Sequence, residues 1–398
     1  MNRSITRVSR TSINPYLFCS LFLLATLFNT QLRAQDPWPW YNTDEPAVTL
    51  LLLGDFNVQK RKRPADALVH VRQTLNQADA VYANLEGLLV PSRGADKDLP
   101  NKNGWTHPGP EEVQALHAGN ISAVGVANNV AYGRANIMAS LAVLDANGIA
   151  HTGAGKNIDQ AHRPAIIERH GVRFGFLQYT SKWYDEDQQI ATPDEPGVAR
   201  LKSPDGETID PGDLQRLLDD IKRLRPTVDI LAVSAHTRDG QRRGGAVPPS
   251  SPENRAADLY SLLPVVDSLS HVEPYQKRLA HAAIDAGADI VFGHGCHMLQ
   301  EVETYHGKPV MYCLGNFASD WIRVRNYRDG LVARVVIRDK QIKRVSLVPV
   351  TRDTEGNNAR LVAPDSDDGD RLYSKLRSLS PDTALTLKGQ ELILLDKL

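Results

Sequence analysis

Cysteine is scarce in this chain of 398 residues, which contains three. Cys19 falls inside an N-terminal leader, so a processed chain keeps Cys296 and Cys313. Two cysteines can pair in an oxidising compartment but do not make a disulfide framework. A chain this long needs no such framework to build a core. An excess of one charge is lacking as well. The formal net charge is −1, which argues against a nucleic-acid binder with its basic balance or stripe. Beyond the leader no apolar run approaches the roughly 20 residues of a membrane-spanning helix. Internal repeats and low-complexity tracts are absent too. What remains is an ordinary soluble composition, 41% apolar and 23% charged, with room for one large α/β domain or two smaller ones.

The leader has its own grammar. Arg3, Arg7 and Arg10 precede an apolar run over 16–28, and a short polar stretch ends in Gln31-Leu32-Arg33-Ala34. That order is a secretory signal peptide, expected over 1–34 with cleavage after Ala34. The expected location is therefore secreted, periplasmic or in the cell envelope. An uncleaved anchor is the alternative and the one expected route to a membrane. Phe18 before Cys19 argues against a lipoprotein.

After a Pro/Trp-rich lead, residues 47–53 form a continuous apolar run, and four more occur at 80–83, 121–127, 228–235 and 289–292. Apolar runs without alternation suit strands buried on both faces. Amphipathic spacing between them predicts helices over 64–77, 134–147, 213–224 and 275–286. Strand, helix, strand is the signature of an α/β domain with a largely parallel region. Three further segments read as hairpins, over 166–179, 301–312 and 331–348, turning at His170-Gly171, His306-Gly307 and Asp339-Lys340. Added antiparallel hairpins predict a mixed or two-sheet core. Residues 182–210 and 238–253 read as insertions or mobile surface. The domain is expected over 47–350, and the tail 351–398 carries no assignment.

The residues at the ends of the buried runs carry the chemistry. The runs end in Gly54-Asp55, in Asn84-Leu85-Glu86-Gly87, in Asn128-Asn129, in His236, and in Gly293-His294-Gly295-Cys296-His297. Ligands of α/β sheets bind outside the carboxyl ends of strands. Singly, each residue has a plain explanation. Asp55 suits a turn or helix cap, Glu86 a solvated turn, Asn128 and Asn129 an Asx-turn, and His236 a satisfied core position. His294 and His297 are harder to dismiss, because Gly293 and Gly295 let the backbone turn tightly around both rings. The recurrence at five strand ends is what points to a metal site or acid/base centre.

In order, GD, NLEG, ANN, a strand-end His, GHGCH and YCLGNF resemble the CapA family, named for poly-γ-glutamate capsule synthesis. The resemblance extends over about residues 48–320. It implies a calcineurin-like metallophosphoesterase fold, a four-layer sandwich of two mixed β-sheets flanked by helices. It also implies metal-ligand roles for Asp55, Glu86, Asn129, His236, His294 and His297, with Asp55, His236 and His294 central to catalysis. Carboxylate, amide and imidazole donors suit Mn, Fe or Zn, and two ions sharing a carboxylate would serve attack on phosphorus.

Two departures qualify this. The family pattern Asn-Asn-His, then Asp and Gly, is here Asn128-Asn129-Val130 and then Ala131-Tyr132-Gly133. In related phosphoesterases that histidine protonates or stabilises the leaving group, a contribution of about 10²–10⁴-fold for general acid catalysis. The family His-Trp-Gly is here His236-Thr237-Arg238. Arg238, Arg242 and Arg243, with Asn128, are candidate contacts to an anionic substrate; a solvated charged loop is the plain alternative. His107 could line the cleft, Asn316 is expected to fix loop geometry, and Cys296 could bind metal, pack inward or meet Cys313.

The leading expectation is an extracytoplasmic metal-dependent hydrolase acting on a phosphoester or another anionic ester or amide, its partner an anionic substrate or polymer. The competing one is a binding or scaffold protein for a polyanionic polymer, with a degenerate site. A metallopeptidase for γ-glutamyl bonds is a third, although HExxH is absent.

Overall fold

Leucine occupies positions 50–53 without a break, and the strand it builds is covered on both faces. Leu50 and Leu52 pack toward one side of β1 (Val48–Asn57), Leu51 and Leu53 toward the other, and all four are fully buried. Strand side chains alternate between faces, so an unbroken apolar run demands a layer above and below. Each such leucine contributes ~2 kcal/mol of burial. The structure is a computed structural model, and it describes residues 38–41, 46–91, 105–237, 271–321 and 328–398. The expected signal peptide lies outside the described residues, as do Arg238, Arg242 and Arg243.

The other strands come in order. First are β2 (Ala80–Leu85), β3 (Ile121–Gly125), β4 (Ala150–Thr152) and β5 (Ala154–Gly155). Next are β6 (Ala165–Arg169), β7 (Val172–Thr180), β8 (Gly197–Val198), β9 (Ile230–His236) and β10 (Ile290–His294). Then β11 (Val302–Tyr305), β12 (Lys308–Met311), β13 (Asn316–Ser319), β14 (Gly330–Arg338) and β15 (Gln341–Arg352). Last are β16 (Ala359–Leu361), β17 (Thr386–Lys388) and β18 (Glu391–Asp396).

These strands make two large mixed sheets. One runs β17-β18-β15-β14-β1-β2-β3-β4, with β13 also pairing β1 and β16 pairing β15. Its β1 to β4 half is parallel and its β14 to β18 half antiparallel. The other runs β11-β12-β10-β9-β7-β6, parallel in the middle and closed at each end by a hairpin. Three apolar layers separate four structural layers. Leu51, Leu53, Val81 and Val124 pack against Leu68, Leu116, Ile137 and Leu141 from helical segments. Leu50, Leu52 and Tyr82 meet Phe174, Phe176 and Phe292 between the sheets. Leu177, Leu231 and Val233 bury Leu217, Ile221 and Leu279 of the outer helices. The expected four-layer sandwich of two mixed sheets flanked by helices is what the chain forms.

Three of the expected helices form as Arg134–Ala146, Pro211–Leu224 and Pro274–Asp285. The second starts two residues early because Asp210 caps it, accepting hydrogen bonds from Gly212 N and Asp213 N. The helix expected over 64–77 is corrected to a 3₁₀ turn, Pro64–Leu68, and one α-turn, Arg72–Leu75. Val69 and Val71, β-branched and weak in helices, fall at the break. Residues 182–210 are not mobile surface: Ile190, Ala191, Val198, Ala199 and Leu201 are buried, and β8 pairs β5. The tail joins the larger sheet through β16 to β18, while helix Asp367–Leu379 adds Leu372, Tyr373 and Leu376 to the core between the sheets. No helix among the described residues is long and apolar enough to cross a membrane.

Candidate metal centre

The carboxyl ends of the parallel strands in the two sheets meet at Asp55. This residue lies near the end of β1, fully buried, where its carboxylate needs partners. His294 Nδ1 stands 3.3 Å from Oδ1 and His297 Nδ1 3.2 Å from Oδ2. Asn84 Nδ2 donates to Oδ1 at 2.8 Å, and Gly295 N donates to Oδ2 at 3.3 Å. Burial alone would raise the pKa of this carboxyl. The hydrogen bonds and charge of His294 and His297 outweigh it and hold the group well below the usual carboxylate range.

Glu86, just past β2, reaches the same place, with Oε1 3.5 Å from His297 Nε2. Asp55, Glu86 and His297 each offer a ligand atom within 4.8 Å of the other two, all three residues buried. His294 adds a fully buried ring whose Nε2 makes no hydrogen bond among the described residues. Two buried carboxylates beside two imidazoles are a donor set suited to a divalent cation. The residues present fit such an ion.

The GHGCH turn is shaped to make this possible. His294 closes β10 directly beside His236, its partner at the end of β9. Gly295 has φ +92, and a Cβ there would lie 2.7 Å from His236 Cε1. Glycine at this position thus serves both backbone and packing. His297 itself has φ +60, a left-handed conformation that costs a non-glycine residue on the order of 1–3 kcal/mol. Two devices hold it there. Asn316, at the start of β13, places Oδ1 3.1 Å from His297 Nδ1. Cys296, next in chain, is bonded to Cys313 in a disulfide with a Cα separation of 6.5 Å.

The sequence-derived candidates therefore divide. Asp55, Glu86, His294 and His297 are in direct contact, and His236 adjoins them across Gly295. Asn129 lies just beyond β3, its Nδ2 donating to Tyr184 Oη at 3.0 Å. Asn128 is wholly buried and its amide is engaged in the loop. Nδ2 donates to Leu85 O, and Oδ1 accepts from Val130 N and Ala131 N. That is the Asx-turn geometry. Val130 is buried against Trp105, with Tyr132, Tyr184 and Trp321 packed around the pair. His107 is buried beside Trp105, ring centroids 4.9 Å apart, and burial pushes its imidazole down to about 4.

Sequence reasoning passed over two buried amides. Asn84 holds Asp55 on one side and on the other accepts from Gln178 Nε2 at 3.0 Å, while Gln178 Oε1 accepts from Ala127 N at 2.8 Å. One side chain thus ties β7 of the smaller sheet to the strand ends of the larger. Gly125 leaves the space, since a Cβ there would stand 2.3 Å from Gln178. The available signal was a glutamine inside an otherwise apolar strand.

Known proteins share this chain's sequence pattern. The family described as bacterial capsule synthesis protein PGA_cap matches residues 42–256 and 266–321. "PGA biosynthesis protein CapA" of Bacillus subtilis (strain 168) is 23% identical over 367 residues, covering 87% of this chain and 83% of the relative. "Capsule biosynthesis protein CapA" of Bacillus anthracis is 24% identical over 330 residues, covering 80% and 71%. A solved structure described as a novel phosphatase of Mycoplasma pneumoniae aligns with a TM-score of 0.38 at 11% identity, over 83% of this chain and 99% of that one.

Proposed function

The chain belongs to the bacterial capsule synthesis protein PGA_cap family, and from that premise we propose that it is an extracytoplasmic metal-dependent hydrolase of the phosphoesterase type. Its substrate class is an anionic ester met in the metabolism of a polyglutamate-like polymer, the partner that the relatives' names suggest. The observation that carries the reading is the buried group of Asp55, Glu86 and His297, with ligand atoms within 4.8 Å of one another. The Cys296–Cys313 disulfide supports the location, since such bonds persist in oxidising compartments.

Asp55, Glu86, His294 and His297 would hold the metal, with His236 and Asn129 completing the set. When bound, a divalent ion supplies Lewis acidity and lowers the pKa of water. The protein's part is to keep Asp55 ionised through its two histidines, to orient it through Asn84, and to brace His297 through Asn316 and the disulfide. Such outer supports fix ligand geometry and tune the ion.

A second reading is favoured by Val130. Where the CapA resemblance calls for a histidine, this chain buries an apolar side chain under Trp105, which fits a protein that binds a polyanion without turning it over. Two measurements separate the readings. Elemental analysis of wild type and Asp55→Ala should find the metal in the first and lose it in the second. Hydrolysis of an aryl phosphate with added Mn²⁺, abolished in His294→Ala, supports the enzyme. A metal-replete protein that turns over no ester supports the binder, and a metal-free wild type sinks the hydrolase.

A further inference from the structure

An amide side chain has two unlike ends, an oxygen that can ligate a cation and an NH₂ that cannot. For Asn129 to serve as a metal ligand, something must hold the amide in place while its oxygen meets the ion. We infer that Tyr184 is the positioning residue that does so, an inference that rests on the metal-centre reading above. Asn129 Nδ2 donates to Tyr184 Oη at 3.0 Å. With the NH₂ end on the phenol, Oδ1 is the end left for a cation; the phenol can serve either end of the amide, so Tyr184 fixes where the amide sits and the ion selects the oxygen.

Tyr184 is itself held by a clamp built around one residue. Gln189 is completely buried. Its Oε1 accepts from Tyr184 N at 2.6 Å and Asp185 N at 3.2 Å. Its Nε2 donates to Asn129 O at 2.9 Å and Ala131 O at 3.1 Å. A single amide thereby joins the Tyr184 segment to the loop after β3, using both its ends. The Tyr184 ring completes the join by packing on Val130 with Trp105. A histidine at 130, as the CapA resemblance has it, would have the tyrosine packed against its imidazole. Here the tyrosine packs on an apolar side chain, and its hydroxyl is used on the neighbouring amide. Outer partners of this kind are typically worth about 10–100-fold in metal affinity.

A hydroxyl that merely stabilised the loop would affect folding and leave ion affinity alone, so the test reads both. Mn²⁺ binding is measured by equilibrium dialysis with elemental analysis on wild type, Tyr184→Phe, Asn129→Ala and the double variant. Metal-free melting is recorded alongside. Phenylalanine keeps the ring against Val130 and removes only the hydroxyl. The expected result is about 10-fold weaker Mn²⁺ binding in Tyr184→Phe, unchanged metal-free melting, and no added loss from Tyr184→Phe once Asn129 is alanine. Wild-type Mn²⁺ affinity in Tyr184→Phe would overturn the inference while leaving the metal centre standing. So would an equal loss with and without Asn129. A wild type that binds no Mn²⁺ fails the metal-centre reading itself, and that outcome is visible before any variant is made.

Discussion

Removing the Cys296–Cys313 bond should loosen the fold by a calculable amount and the metal centre with it. The bond joins residues 17 apart, and closing a loop of that length restricts the unfolded chain by about 3 kcal/mol. Its position makes the loss local as well as global. Cys296 immediately precedes His297, which is held at φ +60. Cys313 lies three residues before Asn316, whose amide touches the His297 ring. Cutting the bond frees both neighbours of that ring to relax toward ordinary backbone geometry. The assay is urea denaturation with chelator present, comparing wild type with the Cys296→Ser, Cys313→Ser double variant, and then Mn²⁺ titration of both. Expected are a stability loss of about 3 kcal/mol, weaker Mn²⁺ binding, and the same two changes in wild type treated with reductant. A loss below about 1 kcal/mol at unchanged m-value, with Mn²⁺ affinity intact, would refute the reasoning.

Three other changes probe the same region. Gly295→Ala places a Cβ 2.7 Å from His236 Cε1 at φ +92, so it should cost on the order of 1–3 kcal/mol and weaken Mn²⁺ binding; unchanged melting would contradict this. Val130→His enlarges a side chain already packed under Trp105, so we expect a loss of about 1–3 kcal/mol from overpacking and no gain in aryl phosphate turnover. A tenfold gain would show that room exists. Burial pushes the His107 imidazole down to about 4 from an ordinary 6.5, so the unfolded chain binds the proton first. Its contribution is complete above pH 6.5 and drains away as the pH falls to 4, about 3 kcal/mol at 1.36 kcal/mol per pH unit. His107→Gln should flatten that part of the stability profile, and an unaltered slope would assign it elsewhere.

The parallel strands were legible because burial on both faces leaves a plain mark, an unbroken apolar run such as residues 50–53. The hairpins were legible through their turn residues, and His170, His306 and Asp339 do adopt positive φ. The tail was not, because its strands are short and join an existing sheet. Leu392 and Leu394 are buried only because β15 is there to receive β18. The break between Leu68 and Arg72 was hidden for a related reason, since amphipathic spacing records which residues face inward and not whether the backbone stays helical between them. At the site, strand-end position identified Asp55, Glu86, His294 and His297. Asn84, Gln178, Tyr184 and Gln189 stayed hidden because their roles are relations between distant segments, and no single segment displays them.

Holding a cation and using it are separable demands on one site, and the proposed centre is built unequally for them. The holding side is heavily supported. Asp55 is gripped by two imidazoles and an amide, while His297 is braced by Asn316 and lies next to a stapled cysteine. The using side has changed, for Val130 and its aromatic neighbours occupy the place of an expected proton donor. If binding alone were required, a strained His297 would be an odd choice, because a relaxed ligand would hold the ion at lower conformational cost. Strain of this kind persists where the surrounding structure overdetermines it, and here a disulfide, an amide and a glycine all do so. Such reinforcement is easier to understand if ion geometry matters as well as ion retention. It favours the proposed hydrolase over the passive binder.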